Sequence, residues 1–310
     1  SKYHTVVVKS TVVPGTTDQV VLPILEKYSG KKSGINFGLG MNPEFLREGT
    51  AIIDFMNPDR IVLGGIDEKS QNKLSEVYES FTNTDKIKTN NKTAEMIKYT
   101  SNSLLATLIS FSNEVGNLCS KFGDIDALDV MKGVHLDKRI SPITESGKRI
   151  SPSLITYLEA GCGFGGSCFP KDVKALISHG MSVGEKMTLL KSVIDINNEQ
   201  PKRVLNLLYK HYQVLEEKKI TILGLAFKPE TDDMRESPAI PIINDLLTKK
   251  TMLTVYDPVA KEKAKNIFNT QKIIYADSMK EAVDGVDAVI LLTSWPEFKT
   301  LPEILKAKEY

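Results

Sequence analysis

The chain has little of what would tie it to a metal, a membrane or an oxidising compartment. Its 310 residues hold three cysteines, Cys119, Cys162 and Cys168, which do not make a disulfide framework and fit a reducing cytoplasm. The four histidines, His4, His135, His179 and His211, are scattered and show no metal-ligand spacing. No apolar run reaches the roughly 18 residues of a membrane-spanning helix, and Ser1-Lys2-Tyr3-His4 leads straight into the strand-like Thr5-Val6-Val7-Val8 rather than into a targeting segment. Charge of one sign is also missing. With 40 basic against 39 acidic side chains, nothing attracts nucleic acid or an anionic membrane globally, although a local basic pocket for phosphate remains open. There is no low-complexity stretch and no solenoid repeat.

What is present is an α/β pattern broken by a helical stretch. Val6 to Lys9, Ile35 to Gly38, Arg60 to Leu63 and Lys86 to Lys88 read as short strands, with amphipathic helices at Thr17 to Lys27 and Glu68 to Phe81. This predicts an α/β layer with parallel strands over the first ninety or so residues. From Thr93 to about Phe122 the apolar spacing turns helical, and helical patterns are expected to dominate to about Tyr212. The strand pattern returns at Ile220 to Gly224, Leu253 to Tyr256, Ile273 to Tyr275 and Ala288 to Leu292, separated by helices near Ile240 to Lys249 and Lys261 to Phe268. That is a second Rossmann-like half. A pentapeptide, Lys138-Arg139-Ile140-Ser141-Pro142, recurs as Lys148-Arg149-Ile150-Ser151-Pro152.

The most informative segment is Gly163-Phe164-Gly165-Gly166-Ser167-Cys168-Phe169-Pro170-Lys171-Asp172. A thiol attacks only as thiolate, and its ordinary pKa of roughly 8.5 falls at a helix N-terminus or beside a lysine. Here a glycine-rich loop leads into the thiol, and Pro170 suits the first turn of a helix expected from Lys171 to about Gly180. A buried structural cysteine is the ordinary alternative for a free thiol. Lys98 and Asn102 stand four apart in a strong helix pattern, so both project from one face and can donate to one developing oxyanion. Glu44 and Glu48 are also four apart, behind Pro43, where like charges on a helix repel unless something uses them. One carboxylate could work as acid or base on water, or both could be a solvated helix start.

The decapeptide resembles the catalytic-cysteine signature of the UDP-glucose/GDP-mannose dehydrogenase family. Other segments resemble the family in the right order: Lys9-Ser10-Thr11-Val12-Val13-Pro14-Gly15-Thr16, Asn42-Pro43-Glu44-Phe45-Leu46-Arg47-Glu48-Gly49, Lys98 with Asn102, and Gly224-Leu225-Ala226-Phe227-Lys228-Pro229 running into Arg235-Glu236-Ser237. Phe169 and Lys171 resemble the UDP-glucose branch. The resemblance implies an α/β fold with three parts: the C-terminal remnant of a Rossmann-like NAD-binding domain at 1–90, a central helical domain with the cysteine loop at 91–213, and a UDP-sugar-binding domain at 214–310. It implies that the chain starts inside the NAD-binding domain and stops before a final strand. The single G-x-G-x-x-G spacing, Gly161, Gly163 and Gly166, follows no buried strand and is not a dinucleotide fingerprint.

The same resemblance implies the chemistry, a four-electron oxidation of a nucleotide sugar to its acid with NAD as oxidant and polysaccharide biosynthesis as the setting. Cys168 would form the thiohemiacetal and thioester, Lys98 and Asn102 would serve the oxyanion, and Thr11 with Asp172 would orient the water. Glu44 and Glu48 would carry the acid-base work. Tyr157, Leu158, Phe164, Gly165 and Lys228 are the implied UDP-sugar contacts, with Tyr157 and Phe164 equally readable as core aromatics. Thr11, Glu48, Lys171 and Arg235 are the implied NAD contacts, the arginine fork suiting a pyrophosphate. A homodimer or higher homo-oligomer around the Leu189 to Tyr212 helix is expected, without a nucleic-acid or membrane partner. GDP-mannose oxidation, or binding of a sugar nucleotide without catalysis, are the alternatives.

Overall fold

Apolar strands and amphipathic helices alternate along both ends of the chain in the computed structural model, which describes residues 3–306. The outermost expected domain limits, residues 1–2 and 307–310, lie outside the described residues. The chain divides into two compact units, one made of Ser1–Leu104 with Asp172–Met187, the other of Leu105–Lys171 with Thr188–Tyr310.

In the first unit, β1 (His4–Val8) leads through a π-helical turn, Thr17–Val21, into α1 (Leu22–Ser29), β2 (Phe37–Met41), α2 (Ala51–Met56), β3 (Arg60–Gly65), α3 (Glu68–Val77) and β4 (Asp85–Thr89). The sheet order is β1-β2-β3-β4. β1 pairs parallel with β2 and β3 parallel with β4, but β2 and β3 run antiparallel through Gly40–Gly65 and Met41–Gly64. The expectation of parallel strands is corrected at that middle pairing. A parallel crossover needs a helix long enough to carry the chain back along the strand. The six residues of α2 rise only about 9 Å, so the chain returns in the opposite sense instead. The amide of Asn42, fully buried at the end of β2, fixes this reversal by donating to the Val62 carbonyl at 2.8 Å and accepting from the Tyr78 hydroxyl.

Two helices cross from one unit to the other. α4 (Asn91–Phe122) begins in the first and ends in the second; α6 (Phe169–Ser182) begins in the second and ends in the first. The second unit adds α5 (Ala127–His135) and α7 (Thr188–Tyr209). Helix takes most of the stretch from Thr93 to Tyr212, as expected, but residues 136–168 between α5 and α6 hold only a 3₁₀ turn, Ser153–Tyr157, and a small antiparallel turn, because Pro142, Pro152 and the glycines at 161, 163, 165 and 166 deny a helix its ladder. The two pentapeptide copies flank a small antiparallel turn, closed by Ile150 N–H to Pro142 O at 2.8 Å and Thr144 N–H to Lys148 O at 2.9 Å. Arg149 stitches it down by donating to the carbonyls of Leu136 and Ser141.

The second unit ends in a four-stranded parallel sheet, order β7-β6-β5-β8. Its elements are β5 (Lys219–Leu223), α8 (Ala239–Thr248), β6 (Met252–Tyr256), α9 (Lys261–Phe268), β7 (Ile273–Tyr275), α10 (Met279–Ala282), β8 (Ala288–Leu291) and α11 (Leu301–Lys306). β5 is buried at every residue after Lys219, as a central strand covered on both faces must be. Ile220, Ile222, Ile242, Ile243, Leu246 and Leu253 are essentially inaccessible there, and truncating any of them to alanine costs about 2–5 kcal/mol. Among the described residues no helix is long and apolar enough to cross a membrane.

Candidate active site

The first turns of α4 carry a buried polar face. Glu95, Lys98 and Asn102 follow one another at the spacing that puts side chains on one side of a helix. All three are buried, Glu95 completely and the other two at 4% and 8% exposure. Each holds a different segment. The Glu95 carboxylate accepts from the backbone N–H groups of Gly15 (2.5 Å) and Thr17 (2.8 Å) and from the Thr17 hydroxyl (2.6 Å). Lys98 Nζ lies 3.2 Å from Glu44 Oε1. Asn102 Nδ2 donates to Asp172 Oδ2 at 2.6 Å, and Asp172, in the first turn of α6, is itself buried.

Thus the structure joins four of the expected site residues in two contacts that the sequence did not suggest, Lys98 with Glu44 and Asn102 with Asp172. Each donor keeps capacity beyond these contacts, since an ammonium carries three N–H bonds and an amide nitrogen two. Phe45 adds an aromatic wall. Its ring lies under the Arg60 guanidinium at 3.9 Å and 5.3 Å from Lys98 Nζ. Partial desolvation of the Lys9 ammonium, on an otherwise exposed residue, lowers its pKa, with Glu44 opposing the shift. Tyr99, beside this face, is pushed up to about 12 by burial, with Asp172 and Glu95 adding to it.

Glu44 and Glu48 do not share a helix face, contrary to the spacing argument. Residues 42–47 are irregular and 48–50 a turn, with α2 starting only at Ala51. Glu44 Oε2 instead accepts from Leu46 N–H at 2.7 Å, and the carboxylate of Asp54 caps the Arg47 N–H at 2.8 Å. These local bonds offer the backbone an alternative to a helix. Glu48 is exposed and Thr11 half-buried in an irregular segment.

In the second unit the cysteine loop is clamped by amides that the sequence reading did not single out. Asn197 accepts from Phe164 N–H (2.7 Å) and donates to Phe164 O (3.0 Å). Asn113 accepts from Gly161 N–H at 2.7 Å; Gln200 donates to Gly161 O at 2.8 Å and accepts from Asn117. These residues lie on α4 and α7, and their signal in the sequence is an amide on an apolar helix face. The next turn rests on the loop that follows β5. Gly166 N–H donates to Arg235 O at 2.8 Å, and a Cβ on Gly165 would sit 2.5 Å from Glu236 O and 2.9 Å from Phe227 Cβ, so only glycine fits.

Cys168 follows directly, exposed, one residue before α6 begins. The other thiols differ from it: Cys119 is buried, and burial pushes Cys162 up to about 11. Of the expected sugar-nucleotide contacts, Leu158, Phe164 and Gly165 are buried and Tyr157 and Lys228 half-buried. Phe169 meets Phe164 edge to face (6.0 Å between centroids) and Tyr157 at a tilt (6.3 Å). Lys171 is exposed. The Arg235 fork, also exposed, is engaged with the buried Asp233 at 2.8–3.0 Å.

For a dinucleotide, the first unit lacks a glycine-rich phosphate turn at a helix start among its described residues. The N–H groups of Gly15 and Thr17, the natural anion donors there, are taken by Glu95. Thr11 and Glu48, the residues of this unit expected to meet such a cofactor, lie in irregular or turn segments outside its helices and strands.

The chain matches three models of one family: the NAD binding domain of the UDP-glucose/GDP-mannose dehydrogenase family over residues 1–82, its central domain over 92–199 and its UDP binding domain over 221–309. It is 42% identical over 304 residues to the UDP-glucose 6-dehydrogenase AglM of Haloferax volcanii, covering 97% of this chain and 67% of that protein. It is 41% identical to the UDP-glucose 6-dehydrogenase YwqF of Bacillus subtilis, covering 97% and 64%. Among solved structures it is similar to a UDP-glucose dehydrogenase from Pyrobaculum islandicum, with a TM-score of 0.86, 40% identity, and 96% and 64% of the two chains covered. The chain therefore spans about two thirds of the length of these relatives. The chain belongs to the UDP-glucose/GDP-mannose dehydrogenase family.

Proposed function

We propose that the chain carries the catalytic cysteine and the sugar-nucleotide half of a UDP-glucose 6-dehydrogenase, oxidising the primary alcohol of UDP-glucose to the carboxylate of UDP-glucuronate. The observation that carries this reading is the contrast among the three thiols. Cys168 alone is exposed, on a glycine turn fastened by backbone and amide hydrogen bonds, at the end of a helix where anions are favoured. NAD, when bound, would accept one hydride from the sugar carbon in each of the two oxidation steps, two NAD being consumed per acid formed; Thr11, Glu48, Lys171 and Arg235 are the residues of this chain assigned to it.

The remaining roles fall on side chains. A base takes the alcohol proton as the first hydride leaves, and Glu44 or Glu48 is the candidate. Cys168 Sγ, its proton released to solvent, then adds to the aldehyde carbon, forming a carbon–sulfur bond and opening the carbonyl to a thiohemiacetal oxyanion that Lys98 and Asn102 serve as donors. Loss of the second hydride leaves a thioester. Water, oriented by Thr11 and Asp172, cleaves the carbon–sulfur bond, releasing the acid and returning the thiol its proton. Tyr157, Leu158, Phe164, Gly165 and Lys228 bind the UDP-sugar in this account. A homo-oligomer belongs to the same reading, supported by Phe111, Leu118 and Phe122, which stay 49%, 57% and 66% exposed on α4, and by Leu189 and Leu207 on α7.

The test is acid formation from UDP-glucose and NAD by the wild-type chain and by Cys168→Ser, with GDP-mannose as the competing substrate. Wild-type acid that disappears in the variant is expected. Unchanged NADH and acid in Cys168→Ser would remove the nucleophile, a preference for GDP-mannose would move the substrate, and sugar-nucleotide binding with no acid would leave a binding module.

A further inference from the structure

In a dinucleotide-binding Rossmann half, an acidic residue beyond the glycine turn holds the ribose. In the second α/β half the residue directly after β6 is Asp257, and it is 3% exposed. Both its oxygens face inward. Oδ2 accepts from the backbone N–H groups of Leu225 (2.8 Å) and Ala226 (3.1 Å) and from the Trp295 indole N–H (3.1 Å). Oδ1 accepts from Val259 N–H (3.0 Å) and Ala260 N–H (2.9 Å). Five donors on one carboxylate satisfy the group, and none of its contacts is turned to a ligand.

What those bonds hold is the floor of the loop after β5. Leu225 and Ala226 have their carbonyls taken as well, by the Ser237 hydroxyl at 2.7 Å and the Thr293 hydroxyl at 2.6 Å. The loop then returns, with Phe227 N–H bonded to Asp233 O at 3.0 Å. Its upper side carries the Phe227 side chain, Arg235 O and Glu236 O against Gly165 and Gly166, just ahead of Cys168. The chain of contact therefore runs from Asp257, through two peptide groups, to the turn that presents the thiol.

We infer that Asp257 is a positioning residue: its carboxylate fixes the Leu225–Ser237 loop on which the cysteine turn rests, in place of binding a ribose. The inference rests on the sugar-nucleotide reading for its ligand, and on the geometry alone for the thiol. Asp257→Asn is the direct perturbation. An amide offers one acceptor oxygen, so its NH₂ must face backbone N–H groups that now find a carboxylate.

Two readouts on the whole chain separate positioning from general stability: UDP-glucose affinity by calorimetry and the rate of Cys168 alkylation by iodoacetamide, both well below the melting temperature. Thr221→Val is the control, because it removes a buried hydrogen bond to Ala282 O elsewhere in the same sheet without touching the loop. Asp257→Asn should weaken UDP-glucose binding about tenfold, the loss of roughly one charge-assisted hydrogen bond, and change the alkylation rate, while Thr221→Val lowers melting only. Unchanged affinity and alkylation in Asp257→Asn, or the same changes in Thr221→Val, would overturn the inference. If wild type binds no UDP-glucose, the functional reading fails while the alkylation comparison still decides the role of Asp257. Should the variant not fold, amide exchange in wild type decides: Leu225 and Ala226 N–H must exchange more slowly than the rest of the loop, and fast exchange there would refute the anchor.

Discussion

Replacing Glu95 by alanine leaves three donors facing an apolar methyl group: the N–H of Gly15, the N–H of Thr17 and the Thr17 hydroxyl. Each buried donor left without a partner costs about 1–3 kcal/mol. Gly15 also lines an open, mostly apolar pocket of about 720 Å³ with Pro14, Gln19, Met96 and Ile97, through which water can reach the vacated space. That relief places the expected loss near the lower end, about 3 kcal/mol. Glu95→Gln keeps one acceptor oxygen and should cost about 1–2 kcal/mol, mostly at whichever N–H then faces the amide nitrogen. At about 2–4 °C per kcal/mol for a chain of this size, the alanine variant should melt about 6–12 °C lower than wild type, with the glutamine variant between them. Urea titration at fixed pH measures the free energies directly. An alanine variant within about 0.5 kcal/mol of wild type would show that the carboxylate is not what holds the turn from Gly15 to Thr17.

Three further outcomes follow from the thiols and the glycine turns. At pH 8 a maleimide should label the exposed Cys168 first, the half-buried Cys162 more slowly and the buried Cys119 only as the chain unfolds; mass spectrometry of peptides showing Cys162 labelled ahead of Cys168 would contradict this order. Burial raises the folded-state pKa of Cys162 from 9.0 to about 11, so its contribution is fully present below pH 9 and is lost as pH climbs from 9 to 11. The loss is on the order of 2 kcal/mol, and Cys162→Ala should flatten that part of the stability curve; an unchanged slope would refute it. Gly224 sits at φ +89° with a built Cβ 2.6 Å from the Thr293 backbone nitrogen, so Gly224→Ala should destabilise the second unit by about 2 kcal/mol or more, and a neutral result in urea would show that this turn can open.

The second α/β half was readable almost residue by residue, because Ile220–Leu223 is buried throughout, Leu253 and Val255 are buried in alternation with half-buried Thr254 and Tyr256, and turns bound both strands. The front sheet was readable in its strands but not in its pairing. Periodicity reports which face of a strand is buried and says nothing about whether β3 runs with β2 or against it; that depended on a six-residue α2 and on the Asn42 amide. Local side-chain-to-backbone bonds also overrode helical spacing at Pro43–Gly49, where the Glu44 and Asp54 carboxylates take the N–H groups of Leu46 and Arg47. At the site, Cys168, Lys98 and Asn102 stood out through their motif. Glu95, Asp257, Asn113 and Asn197 did not, since a carboxylate or amide that gathers buried N–H groups looks in sequence like one facing water. The signal available was weak but physical: a polar residue in phase with the apolar stripe of a helix, or directly after a buried strand.

The most direct test of the account is calorimetric titration of the folded chain with UDP-glucose, run beside GDP-mannose. Saturable UDP-glucose binding, with GDP-mannose far weaker, is the predicted result. A chain that is folded by circular dichroism yet takes up neither sugar nucleotide would contradict the reading of its second half and of the cysteine loop built upon it.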